Sequence, residues 1–142
     1  MASTRPSKHP GYNLPMANAP ETAIEARRLV RAAFEAWGVE DYVDAAQVVI
    51  SELVTNAVRH TRGGFIRIIV ERPGPDRLLL AVVDTSHDLP CLGIPVADDV
   101  RGRGLVLVDA LAEHWGSTLL GPDGKRGKRV WAQLAVKSGE HR

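Results

Sequence analysis

Residues 50–84 read ISELVTNAVRHTRGGFIRIIVERPGPDRLLLAVVD, and the change of rhythm inside this stretch decides the fold. Before Gly63 and Gly64, positions Val43, Ala46, Gln47, Ile50, Leu53, Val54 and Ala57 recur at intervals of three and four. That spacing belongs to one face of an α-helix and predicts a helix over about residues 40–59. After the glycines, FIRIIVE (65–71) and RLLLAVVD (77–84) are short extended runs around the breaker-rich RPGPD. They predict two antiparallel strands joined by a hairpin. The second run is almost uniformly apolar, as expected of a central strand, and it ends on Asp84.

The flanking sequence extends this pattern in both directions. From Thr22, the apolar positions Ala23, Ala26, Val30, Ala33, Phe34 and Trp37 form a second helical stripe, which Gly38 ends. A short strand is expected near residues 13–17. GLVLVDALAEHW (104–115) carries apolar residues 105, 108, 111 and 112 on helical spacing, while STLLG (117–121) and RVWAQLAV (129–136) read as a closing hairpin. Residues 85–103 have no period and several breakers, too long a run for an idle turn. The order predicts an α+β fold, a two-layer sandwich with a mostly antiparallel sheet of about four to five strands covered on one face by three helices. One domain over 13–136 is expected, with tails at 1–12 and 137–142.

Composition narrows the function classes. A 142-residue chain that is 44% apolar and 25% charged is a globular domain of ordinary size. The formal net charge of +1 gives no reason to expect direct nucleic-acid binding. No apolar run approaches the length of a membrane span, and one cysteine, Cys91, allows no internal disulfide. A cytoplasmic protein that does not enter membranes is the simplest expectation. The basic run GKRGKR (124–129) reads as a solvated hairpin tip, with phosphate contact as the alternative.

Within the helix expected over 40–59, Glu52 and Asn56 are four residues apart and therefore share a face. The helical wheel sets them and Arg59 opposite the apolar stripe, the position of a solvated helix back. Val48 and Val49 flank that same back, however, and make the helix apolar nearly all round. Such a helix is usually covered on both sides, which would aim Glu52 and Asn56 into a partly shielded cavity. An amide oxygen is a hard ligand that suits magnesium without adding charge near phosphates, and a neighbouring carboxylate can orient or deprotonate a hydroxyl. Gly102 and Gly104 in RGRGL (101–105) permit close backbone approach to an anion before a helix, and Arg103 adds charge.

The series Glu52…Asn56, Asp84 at a strand end, a long loop and RGRGL resembles the ATP-binding domain of gyrase-type topoisomerases, heat-shock chaperones, sensor histidine kinases and mismatch-repair ATPases. Within that GHKL superfamily, whose fold is the Bergerat fold, SELVTNAVRH, GRGL and HWG look most like the free-standing serine/threonine kinases that act as anti-sigma factors. The resemblance implies ATP and Mg2+ as cofactors, Asn56 as magnesium ligand and Glu52 as catalytic carboxylate. It implies that Asp84 binds the adenine amine, that Gly102, Arg103 and Gly104 bind the phosphates, and that Leu105 belongs to the same cofactor-binding site. His60 takes either the family's position near the phosphates or a plain helix-end role.

For partners, the resemblance implies a sigma factor and a STAS-type anti-sigma factor antagonist, with a homodimer as an assembly that related domains often form. Two motifs depart from the family pattern. DTSHDLP (84–90) has Ser86 and Asp88 at the two glycine positions, and the late glycine-threonine motif is replaced by Gly127-Lys128-Arg129. Weak ATP affinity is expected from these departures, and a protein-interaction module on the same fold is the alternative function. An excised sensor-kinase catalytic domain ranks lower, because no phosphoacceptor helix precedes the domain.

Overall fold

The runs of period two pair into one antiparallel sheet of five strands: β1 (Tyr12–Ala17), β2 (Phe65–Gly74), β3 (Arg77–Asp84), β4 (His114–Leu120) and β5 (Gly127–Ala135). Their spatial order is β1-β2-β3-β5-β4, which makes the most apolar strand the middle one. The computed structural model describes residues 10–60, 64–84, 105–121 and 127–137. Three helices accompany the sheet: α1 (Thr22–Trp37), α2 (Val43–His60) and α3, described over 105–111. A 3-10 turn, Glu40–Tyr42, leads into α2 and supplies the helical start expected near residue 40.

Cross-strand partners share a sheet face, so the register identifies the buried side. Ile66–Asp84–Lys128, Ile68–Val82–Val130 and Val70–Leu80–Ala132 form successive rows across β2, β3 and β5. Apart from Asp84 and Lys128, these side chains are apolar and buried in one core with Val30, Ala33 and Phe34 of α1 and Val49, Ile50, Leu53 and Val54 of α2. Leu105 and Val108 bring α3 into the same core. The two long helices are also tied together by polar contacts: Gln47 Nε2 donates to the Arg27 carbonyl at 3.0 Å, and Arg27 Nη1 to Ser51 Oγ at 2.9 Å. Gly38 closes α1 in the left-handed region, φ 74°, where the absence of a Cβ removes the strain.

The structure changes three local expectations. β2 continues past Glu71 to Gly74, because a register shift between Glu71 and Gly74 absorbs Pro73 and leaves only Pro75 and Asp76 in the turn. Arg72 holds this end by donating to the carbonyls of Trp37 at 3.0 Å and Pro75 at 2.8 Å. β4 begins at His114, three residues before the expected hairpin arm, and α3 stops at Leu111. The amide of Glu113 already donates to the Gln133 carbonyl at 2.7 Å, so pairing with β5 captures a segment whose apolar spacing also suits a helix. Gly116 in this arm leaves room for the Trp131 ring, which a Cβ there would meet at 2.9 Å.

The third correction concerns the back of α2. Val49 is fully buried and belongs to the main stripe, while Val48 is 38% exposed. The buried arc is therefore one-sided and is shifted toward Val49. Leu53→Ala is expected to lower unfolding free energy by about 2–5 kcal/mol and Val48→Ala by under about 0.5 kcal/mol. Urea denaturation of the two variants checks this contrast.

Candidate active site

Three polar or charged residues are buried among the described ones: Thr22, Asn56 and Asp84. Buried polar groups cost stability unless they are satisfied, so each needs an explanation. Thr22 has a local one, since its hydroxyl donates to the carbonyl of Ala17 and fastens the start of α1 to β1. Asn56 and Asp84 come from different elements, the last turns of α2 and the end of β3, and both are buried toward the same end of the layer between sheet and helices.

On α2, Asn56 lies roughly 60° around the helix from Leu53, on the Val49 side, at about 100° per residue. This is the margin of the buried arc and not its opposite side, which corrects the helical-wheel reading. Asn56 is accordingly only 7% exposed. Glu52 is one turn earlier and farther out, half-buried, and Arg59 is exposed. The i, i+4 pair keeps the amide and the carboxylate neighbours, about 5–6 Å apart at Cβ. A shielded amide next to a wetter carboxylate is the resulting arrangement.

β3 delivers Asp84, which is 5% exposed. Its register partners are Ile66 on β2 and Lys128 on β5, so its side chain points toward the helices. β2 begins at Phe65, shortly after α2 ends at His60, and this connection brings the last turn of α2 to the same end of the sheet as Asp84. The half-buried Lys128 was not expected in a solvated hairpin tip. Burial lowers its pKa from the ordinary lysine value, and the nearby Asp84 carboxylate opposes that shift. The signal was present in the sequence: GKRVWAQLA alternates, with Lys128 in phase with the buried Val130, Ala132 and Leu134.

On α3, Leu105 and Val108 are core anchors, and Trp115 Nε1 donates to Asp109 Oδ1 at 2.8 Å, which ties the helix to β4. Leu105 thereby fixes the first described turn of the helix. Gly102, Arg103, Gly104, Ser86 and Asp88 lie outside the described residues, as does the side chain of His60.

The family model for histidine kinase-, DNA gyrase B- and HSP90-like ATPases matches residues 41–138, more than half of the chain. The chain belongs to this family of ATPases. The match runs from the 3-10 turn before α2 to just beyond β5, and so contains Glu52, Asn56, Asp84 and Lys128. None of the curated proteins matches the chain. No helix among the described residues is long and apolar enough to cross a membrane.

Membership of this ATPase family implies ATP binding, usually with magnesium, and the donor set can be tested against that ion. Among the described residues no three His, Cys, Asp or Glu side chains cluster, so these residues offer no all-protein cage. Magnesium that arrives on a nucleotide takes most of its ligands from phosphate and water and needs one or two protein oxygens. The amide oxygen of Asn56 fits that requirement.

The Lys128 shift has a consequence for stability. With its pKa lower in the folded than in the unfolded chain, the unfolded chain binds more protons between the two values. Stability from this group therefore rises as pH increases from the folded value toward the ordinary 10.5. Lys128→Met is expected to flatten that rise. Urea midpoints of both proteins from pH 8 upward, taken as a difference, check the sign.

Proposed function

We propose that this ATPase-family chain is a protein serine/threonine kinase of the anti-sigma factor type, using ATP and magnesium. The observation that carries the reading is the burial of Asn56 and Asp84 at one end of the α2–β3 seam with Glu52 one turn away. The resemblance of SELVTNAVRH and GRGL to the free-standing anti-sigma kinases supplies the partner class: a STAS-type antagonist as phosphoacceptor and a sigma factor as the protein held and inhibited.

In this reading each residue has a distinct task. Asn56 contributes one neutral oxygen ligand to magnesium, and the ion, when bound with ATP, offsets charge on the phosphates. Asp84 accepts a hydrogen bond from the 6-amino group of adenine. Glu52 orients the serine hydroxyl of the antagonist and takes its proton as that oxygen bonds to the γ-phosphorus. The bond from the γ-phosphorus to the bridging oxygen breaks, and ADP leaves. Gly102 and Gly104 offer backbone amides to the phosphates and Arg103 a charge-assisted bond.

A second reading, an interaction module with little nucleotide affinity, draws on one observation: Lys128 already faces Asp84. Calorimetric titration with ATP and magnesium decides between the two. Binding is expected, with Asn56→Ala weakening it about tenfold or more, equivalent to about 1.4 kcal/mol. Heat from neither protein would rule out the kinase. Labelled phosphate transfer to a STAS-type antagonist is expected to fall by about 10²–10⁴ in Glu52→Ala. Undiminished transfer in that variant would remove Glu52 from the role of base.

A further inference from the structure

We propose that Lys128 is a second base-reading residue beside Asp84, and that the pair selects a nucleobase edge presenting an amino donor next to a ring-nitrogen acceptor, which among purines means adenine over 6-oxopurines. The inference rests on the nucleotide-binding reading and adds a specificity residue to it.

Lys128 and Asp84 are direct register partners on adjacent strands, so their side chains leave the same face of the sheet with Cβ atoms about 4.5–5.5 Å apart. That face is the one covered by helices, and Asp84 is 5% exposed while Lys128 is half-buried. A lysine at the true hairpin tip would keep its ammonium in water. Here burial lowers its pKa and the carboxylate raises it, so the two groups sense each other inside the layer. The next helix-facing neighbours are Ile66 and Val130, which supply apolar walls and no competing donors or acceptors from their side chains.

The chemistry of the pair follows from its polarity. An ionised carboxylate only accepts hydrogen bonds, and an ammonium only donates them. Neither can reverse, unlike a hydroxyl or an amide. Adenine offers its 6-amino hydrogen to Asp84 and its N1 lone pair to Lys128, and both contacts are satisfied at once. Hypoxanthine and guanine present O6 to the carboxylate and N1–H to the ammonium, so in the same pose both contacts become repulsive. A site built to hydrogen-bond one pattern rejects the mismatched one strongly, because its own buried groups lose their partners.

The test compares ATP with 1-deaza-ATP, in which N1 is replaced by C–H, by calorimetry with magnesium on the full chain and on Lys128→Met. The parent is expected to bind 1-deaza-ATP about tenfold more weakly than ATP, and Lys128→Met is expected to bind the two about equally. An equal preference in both proteins, or none in the parent, would overturn the role of Lys128. GTP or ITP binding the parent as tightly as ATP would overturn the selection of adenine. Lys128→Gln provides a second variant should the methionine disturb folding, which circular dichroism reports. Its amide can donate or accept, so the preference for ATP over ITP is expected to narrow; an undiminished preference counts against the proposal. Failure of the parent to bind any of these nucleotides overturns the nucleotide reading itself, an outcome distinct from a changed ratio.

Discussion

The structure depends on the packing of one helix against one side of one sheet. β3 lies between β2 and β5, and its helix-facing side chains Leu78, Leu80 and Val82 are buried against the arc of α2 that holds Val49, Ile50, Leu53 and Val54. Each fully buried aliphatic side chain contributes about 1.5–3 kcal/mol relative to exposure, so this seam supplies a large share of the driving force for folding. α1 widens the arc, and β1 and β4 extend the sheet at its two edges. The remaining elements take their places by reference to the seam.

A seam of that kind has ends, and the ends are where polar side chains can be held at low exposure without being enclosed. Asn56 is close to the end of α2 and Asp84 is the last residue of β3, so both are fixed by rigid elements at the end of the seam. Rigid placement of this sort favours recognition, because the geometry is set by the core before any ligand arrives. Glu52, one turn back and farther around the helix, is half-buried and keeps more water. The division between a shielded amide and a wetter carboxylate thus arises from their angular positions on α2.

Much of this was legible from periodicity. The stripe in Thr22–Trp37, the helix before Gly63, the two runs around RPGPD and the uniform apolarity of 77–84 all correspond to observed elements, because in each the local pattern and the tertiary packing ask for the same structure. The misses occur where they conflict. Residues 112–115 have apolar spacing that suits a helix, yet the open edge of β5 offers backbone partners and the chain pairs as β4. A stripe centred toward Gln47 puts Val49 and Asn56 on the back of α2, whereas the buried arc is centred closer to Leu53 and takes in both. The candidate residues themselves were legible as chemistry; their burial depended on where the arc was centred.

Lys128 shows the other kind of failure. Grouped by charge, GKRGKR is a basic run and reads as a solvated tip; grouped by alternation, its second half is the start of a strand whose even-numbered residues point inward. The two groupings disagree about one side chain only. The packing follows the alternation, because register across β3 and β5 is set by Val82–Val130 and Leu80–Ala132, and a slip of one residue would turn every one of those apolar side chains out of the core. Burying one ammonium beside a carboxylate costs less than exposing that whole face. The cation at Asp84 is therefore a consequence of the register, and whatever it recognises, it is held there by the hydrophobic core.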